Sequence, residues 1–125
     1  MSKIERFEDL DCWKTSRELV KQVYSICLIG TLNKDFGTQD QIKRASISVM
    51  NNIAEGFGRY SRKEFIRFLD FSQSSALEVK SMLYAISDVH KTNSERIVEL
   101  HKITDKARFQ ILGLIKYLKN NPIKK

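Results

Sequence analysis

A chain of 125 residues is long enough to enclose one hydrophobic core, so the sequence predicts a single domain that needs no disulfide framework or metal ion to fold. Its 42% hydrophobic and 30% charged residues are typical of a globular protein, and five glycines with one proline leave few points at which a helix must break. The formal charge of +7 favours anionic partners, such as nucleic acid or an acidic protein surface.

Two cysteines, Cys12 and Cys27, fall in the first predicted helix. A rise of about 1.5 Å per residue separates them by roughly 22 Å, beyond the ~7 Å between Cα atoms that a disulfide spans. Unbridged thiols suit a reducing compartment, and the N-terminal residues lack the apolar run of a signal peptide. No stretch approaches the ~18 apolar residues of a membrane span. We therefore expect a cytoplasmic protein with no membrane partner.

The first helix is predicted over residues 9–29, with Asp9 as its N-cap and Gly30, in the left-handed conformation, ending it. Its apolar seam advances by threes and fours, which is the spacing of a helix that packs on other helices. The seam residues are Leu10, Trp13, Arg17, Val20, Tyr24 and Cys27. Arg17 is interpreted as a long stem at the rim of the core.

The second helix is predicted over residues 39–57, after a loop at residues 31–37 and a capping box formed by Thr38 and Gln41. Its apolar face comprises Ile42, Ala45, Val49, Ile53 and Phe57. The third helix is predicted over residues 62–90, where Ser61 and Glu64 form a second capping box. Because the turn between these helices is short, they are expected to be antiparallel neighbours. The third helix carries more apolar surface than one stripe, which predicts burial inside the bundle or against another subunit.

The fourth helix is predicted over residues 93–119, with Thr92 and Glu95 as a third capping box. Its heptad seam consists of Ile97, Leu100, Thr104, Ala107, Ile111, Leu114 and Leu118. Four amphipathic helices with short connections predict an all-α fold, an antiparallel up-down-up-down four-helix bundle.

Two segments carry a resemblance to a known family. Phe7–Trp13 reads FEDLDCW and is similar to an entry motif FEDLxxW, while Ser48–Gly56 reads SVMNNIAEG and is similar to a signature SIPSNIAEG that is followed by a run like KEFIRFL at Lys63–Leu69. On these motifs the chain resembles the intervening-sequence proteins, whose first members are encoded in insertions within bacterial 23S rRNA genes. Met50 replaces the family's proline and Asn51 its serine, so no proline kink is expected here.

The resemblance implies a small helical protein without known catalysis that often forms a ring-like homopentamer. It also implies a relation to the accessory proteins of diversity-generating retroelements, which are basic pentameric bundles that bind nucleic acid and a reverse transcriptase.

A concentration of cations around the turn after the second helix is the candidate nucleic-acid-binding site. Arginine forks and free amides at the start of the third helix could hold phosphates, and Tyr60 with Phe65 could stack on unpaired bases. The candidate residues are Lys43, Arg44, Arg59, Tyr60, Arg62, Lys63 and Arg67. The alternative is a solvated face whose cations pair with Glu55 and Glu64.

Asn52, Glu55 and Gly56 form a second candidate group, which we interpret as structural or as part of a subunit interface. Glu55 is expected to be partly buried and paired with an arginine, and Asn52 to fix the register of neighbouring helices. The glycines Gly56 and Gly58 are expected to relax the backbone for the turn, since the third glycine of a dinucleotide fingerprint is missing.

The sequence predicts no catalytic group, cofactor or metal site. His90 and His101 lack a glutamate three residues earlier, which di-iron bundles require, and no zinc motif is present. We therefore predict a non-enzymatic protein, and two functions stay open. The first is an oligomeric nucleic-acid-binding accessory protein for RNA or DNA. The second is a protein-interaction scaffold whose basic face docks an acidic or reverse-transcriptase-like partner without binding nucleic acid itself.

Overall fold

The computed structural model describes residues 4–92 and 94–121. Its four helices are α1 (Asp11–Ile26), α2 (Phe36–Phe57), α3 (Arg62–His90) and α4 (Ser94–Asn120), with short 3-10 helices at Phe7–Asp9 and Gly30–Lys34. Each helix packs on the next one in the chain, and α1 packs on α4. The predicted all-α, antiparallel up-down-up-down four-helix bundle is confirmed.

The face that helix α1 turns to the core matches the predicted seam only in part: Leu10 and Cys27 are buried and Trp13 packs against the core. The predicted seam residues Arg17 and Tyr24 are exposed, and Arg17 lies 5.7 Å from the centre of the Trp13 ring. The buried residues are Cys12, Ser16, Leu19, Val23 and Ile26. Ser16 can face the core because its hydroxyl donates to the Cys12 carbonyl oxygen at 2.6 Å, which satisfies a buried polar group within the helix.

The connection between α1 and α2 corrects three expectations. Helix α1 ends at Ile26, and Gly30, although its φ is +59°, begins a 3-10 helix instead of capping α1. The predicted loop at residues 31–37 is therefore mostly helical, and Leu32 within it is fully buried. The N-cap of α2 is Asp35, whose carboxylate accepts from the Thr38 amide at 3.2 Å, so the predicted capping box at Thr38 is wrong.

Helices α2 and α3 approach each other closely through small residues. The Ser72 hydroxyl donates to the Val49 carbonyl oxygen at 2.6 Å, and the hydroxyls of Ser48 and Ser75 lie 2.8 Å apart. Ser61 caps α3 as predicted by accepting from the Glu64 amide at 3.2 Å. The Glu64 carboxylate, however, binds Arg67 and does not complete the predicted box.

Helix α4 follows its predicted seam except near its end, where Ile115 is buried and Leu114 is only partly buried. The third predicted capping box includes Asn93, which lies outside the described residues. No helix among the described residues is both long and apolar enough to cross a lipid bilayer.

The antiparallel order brings the start of α1, the turn from α2 to α3 and the end of α4 to one end of the bundle, which we call the elbow end. Arg62 Nη1 donates to the Leu118 carbonyl oxygen there at 2.9 Å. The end of α3 and the start of α2 meet at the opposite end, the far end, where His90 Nε2 lies 2.9 Å from Asp35 Oδ2.

Candidate nucleic-acid interface

The turn at the elbow end is positioned by tight packing below it. Gly56 is buried in the last turn of α2, and a Cβ there would lie 2.6 Å from the Cβ of Phe68. Gly58, the C-cap, has φ −73°, a conformation open to any residue. The expectation that both glycines relax the backbone is therefore wrong. A glycine is needed at position 56 because α3 approaches so closely, whereas neither the backbone conformation nor the space at Gly58 requires a glycine.

Two arginines lie over one aromatic ring at the elbow end. The guanidinium carbons of Arg59 and Arg67 lie 4.9 Å and 5.1 Å from the centre of the Phe68 ring. Phe68 is 8% exposed, so these cations help to cover a ring that reaches the surface. Attraction to the ring holds both guanidinium groups at the surface of α3.

Arg67 is also bound by the carboxylate of Glu64, one turn earlier on α3. Its Nε and Nη2 donate to the two carboxylate oxygens at 2.9 Å and 3.0 Å, which is a bidentate pair. The hydrogen bonds from Arg67 lower the pKa of Glu64, and the charges of Arg67, Arg59 and Lys63 lower that pKa further. Arg67, Arg59 and Lys63 therefore all lie near the same carboxylate.

A groove between the start of α3 and the end of α4 brings two of these cations, Lys63 and Arg67, together with a further one, Lys119. It has a volume of about 390 Å³ and is lined by Lys63, Ile66, Arg67, Asp70, Ile115 and Lys119. Lys119 was not among the predicted site residues, because only the fold brings the end of α4 beside α3. We call Arg59, Lys63, Arg67 and Lys119 the basic cluster.

The aromatic side chains near the basic cluster are not the predicted pair. Tyr60 is 91% exposed, as a stacking residue must be, but Phe65 is only 9% exposed and packs edge-to-face on Phe57 with ring centres 5.9 Å apart. Phe71, which the sequence did not single out, is 44% exposed and lies 5.2 Å from the guanidinium carbon of Arg67. Phe71, and not Phe65, is therefore the exposed phenylalanine beside the cations.

Comparison with known proteins now identifies the family. The family model for the 23S rRNA-intervening sequence protein matches residues 8–113. The chain belongs to this family. A similar fold occurs in a protein of unknown function from the S23 ribosomal protein family of Bacteroides thetaiotaomicron, with a TM-score of 0.76 and 21% identity over 84% of this chain and 98% of that one. No curated protein matches the chain.

In this member of the intervening-sequence protein family, Arg62 has a structural task. Its guanidinium is partly buried and donates to the Leu118 carbonyl oxygen, so it ties the start of α3 to the last turn of α4. A cation at this position also compensates the negative end of the α4 dipole. Arg62 is therefore less available to a phosphate than the exposed residues of the basic cluster.

Lys43 and Arg44 lie in the first half of α2, away from the basic cluster. About 14 residues separate Lys43 from the end of that helix, which is roughly 20 Å along its axis. Lys43 Nζ lies 4.8 Å from the Tyr24 ring centre and 3.4 Å from Gln39 Oε1, so it contacts α1 and its own helix. Arg44 is exposed. The structure thus does not bring these two predicted residues together with the others.

The group formed by Asn52, Glu55 and Gly56 is only partly as expected. Asn52 Nδ2 donates to the carbonyl and hydroxyl oxygens of Ser48 at 2.9 Å, and Ser48 in turn contacts Ser75 on α3. Both hydrogen bonds of Asn52 lie within α2, and only Ser48 reaches α3, so the role of Asn52 in the register of the two helices stays a prediction. Glu55, in contrast, is exposed and forms no ion pair with a described residue, so the expected partly buried pair with an arginine is wrong.

Two histidines bridge helices of the bundle. His90, at the end of α3, connects this helix to the segment before α2 at the far end. Its Nε2 contacts Asp35, and its Nδ1 lies 2.7 Å from the Thr31 hydroxyl. His101 lies 3.4 Å from Lys80 Nζ on α3, and burial, followed by the Lys80 charge, lowers its pKa. Lys80 also forms a half-buried ion pair with Asp105 at 3.0 Å. Within residues 4–92 and 94–121, no three His, Cys, Asp or Glu side chains group as a metal site requires.

Proposed function

We propose that this protein is a non-enzymatic, oligomeric accessory protein that binds the phosphates of RNA or DNA with its basic cluster. The observation that carries the proposal is the groove in which Lys63 and Arg67 of α3 meet Lys119 of α4. These three cations outnumber the one carboxylate in the groove, that of Asp70, and can bind phosphates, while the counterions released from the nucleic acid favour binding. The family name, which refers to an insertion in 23S rRNA, supports RNA as the first ligand to test.

The cysteines and the histidine clusters support a non-enzymatic role. Burial raises the pKa of Cys12 to about 12, so its thiol stays protonated at neutral pH and is a poor nucleophile. Both cysteines are free and buried, which suits a reducing compartment such as the cytoplasm. In the Thr31, His90 and Asp35 group, one Asp35 oxygen caps α2 while the other contacts His90, an arrangement that joins helix ends.

The resemblance to ring-forming relatives supports a homo-oligomer, and we propose a pentamer. Helix α3 leaves Leu77 and Tyr84 exposed, and these side chains give apolar surface for a contact between copies. A ring would repeat the basic cluster once per subunit, which raises avidity without any stronger single contact. Light scattering should then give a mass near five times 14.6 kDa, whereas a mass of one chain would reject the oligomer.

The binding proposal is tested by fluorescence anisotropy with a labelled single-stranded RNA at two salt concentrations. The variant Arg59→Gln with Lys63→Gln removes two cations of the basic cluster and should weaken binding at least tenfold at low salt. The slope of the logarithm of the binding constant against the logarithm of the salt concentration should become shallower by roughly 0.7 per lost phosphate contact. The control Lys21→Gln with Lys106→Gln removes the same charge from exposed positions elsewhere. Equal weakening by both pairs would reject the basic cluster as the site.

A second candidate function is a scaffold that docks an acidic or reverse-transcriptase-like protein. Large exposed apolar side chains around the far end favour it, namely Leu28, Phe36 and Val89. This function predicts that the protein alone binds no nucleic acid and that Phe36→Ser abolishes capture of the partner. The anisotropy experiment separates the two candidates, since only the first predicts a salt-sensitive complex without another protein.

A further inference from the structure

We propose that the ligand of the basic cluster is a single strand, one base of which stacks on Phe71 beside Arg67. This inference rests on the proposed nucleic-acid function and specifies its substrate class. The basic cluster itself recognises phosphates, which single and double strands share. The discriminating feature is the aromatic side chain that stands next to the cations.

Phe71 is presented at the surface by its neighbours. It is 44% exposed, packs edge-to-face on Phe68 with ring centres 5.8 Å apart, and contacts the Arg67 guanidinium at 5.2 Å. Phe68, in contrast, is buried and already lies against Arg59 and Arg67. Nearly half of Phe71 stays exposed although Arg67 lies against its ring, and this exposed part is where a new planar group would stack.

The Arg67 guanidinium is held in place before any ligand arrives. Glu64 fixes it through two hydrogen bonds, and the rings of Phe68 and Phe71 lie beside it. Little side-chain entropy is then lost on binding, which favours a defined geometry between cation and ring. A phosphate near Lys63 and Arg67 would leave the attached base within reach of Phe71, which is four residues after Arg67 on the same face of α3.

This arrangement favours unpaired bases for a physical reason. In a duplex both faces of each base are covered by its neighbours, so stacking on a protein ring requires unstacking first. In a flexible single strand the faces are free, and stacking on an aromatic side chain accounts for roughly a 5- to 100-fold gain in affinity per base. We expect a gain in affinity near the lower end of that range, because Phe71 is only about half exposed.

The test compares three fluorescein-labelled probes with the full chain at low salt: a 12-nucleotide oligouridylate, the same backbone with abasic sites, and a duplex of 12 base pairs. The oligouridylate should bind about fivefold or more tighter than the abasic strand. Phe71→Leu keeps an apolar side chain and should remove that difference, while Phe71→Trp should preserve it. The control Phe109→Leu changes a phenylalanine that is 60% exposed and also lies near an arginine, Arg108, and should have no effect.

The outcomes distinguish this inference from the function on which it rests. If the abasic strand and the oligouridylate bind equally, and the salt dependence is normal, the stacking inference is overturned while phosphate binding stands. If Phe71→Leu weakens all three probes equally, stacking is likewise rejected. If no probe binds at low salt, both proposals fail. Melting curves of each variant establish that Phe71→Leu is folded.

Discussion

Gly56 of α2 and Phe68 of α3 are in such close contact that the smallest side chain would not fit between them. A Cβ on Gly56 would meet the Phe68 Cβ at 2.6 Å and the Phe65 ring at 3.1 Å. Because a Cβ atom cannot move without its backbone, Gly56→Ala should force the helices apart and lower the free energy of unfolding by about 1–3 kcal/mol. Calorimetry should show a melting temperature several degrees lower.

Gly113 of α4 supplies the matched control. It is also helical, but a Cβ there would meet nothing within 4 Å. Gly113→Ala should therefore raise the free energy of unfolding by up to ~1 kcal/mol through helix propensity alone. Equal effects of the two substitutions would contradict the close approach of α2 and α3.

Arg62 is expected to matter for stability more than for ligand binding. Arg62→Met keeps the apolar stem but removes the donor to the Leu118 carbonyl oxygen, so the last turn of α4 should fray. We expect a loss of about 1 kcal/mol in the free energy of unfolding and faster hydrogen exchange at the end of α4. Lys63→Met, at the exposed next position, should change stability by less than about 0.5 kcal/mol.

Glu64 both positions Arg67 and neutralises its charge. We expect the loss of the competing carboxylate to outweigh the loss of positioning, so that replacing Glu64 strengthens nucleic-acid binding. Glu64→Gln eliminates a negative charge from the basic cluster and should lower the Kd for a single strand about two- to fivefold at low salt. Glu78→Gln removes the same charge from an exposed position of α3 some 14 residues away, roughly 20 Å along the helix. The same gain in both variants would indicate an effect of net charge alone.

Asp35 should stabilise the far end in a pH-dependent way. Hydrogen bonds from Thr38, followed by His90, lower its pKa below the ordinary 3.8. Because the folded-state pKa is the lower one, the stabilisation is fully present above the unfolded value and is lost as the pH falls through the folded value. Wild type should therefore have a higher urea midpoint than Asp35→Asn at pH 7, and this advantage should begin to fall near pH 3.8 and vanish only below the folded-state pKa.

The control for this titration is Asp40→Asn, which changes an exposed carboxylate of the same helix. It should shift the midpoint little at either pH. A constant difference between wild type and Asp35→Asn from neutral pH to acid would show that the charge of Asp35 plays no part in its stabilising contacts.

The architecture could be predicted because its signals are local. Ser61 precedes the apolar run of α3 and caps it, and the predicted bounds of residues 62–90 coincide with that helix. The face of α1 could not be predicted in the same way, because Trp13, Val20 and Tyr24 fit a helical period as well as the buried residues do. The buried face includes Ser16, a polar residue that a search for apolar positions passes over but that satisfies its hydroxyl within the helix.

The candidate site was predicted only where its residues are neighbours in sequence. Arg59, Lys63 and Arg67 follow one another at intervals of four residues in sequence, and the structure places all three around Glu64. Lys119 could not be associated with them, since its proximity depends on how α4 packs on α3. Phe65 and Phe71 are both on α3, and only the direction of its buried face determines which ring reaches the surface.

The antiparallel course of the chain has a practical consequence for any assay of this protein. Ile4, beside the start of α1, and Asn121, after α4, both lie at the same end as the basic cluster, so an affinity tag or fluorophore attached at either residue would be at that end. A polyhistidine or acidic tag there would alter the local field and imitate or mask a ligand. Labels are better attached through a single introduced cysteine at an exposed far-end position, such as Asn33, with the tag cleaved before titration.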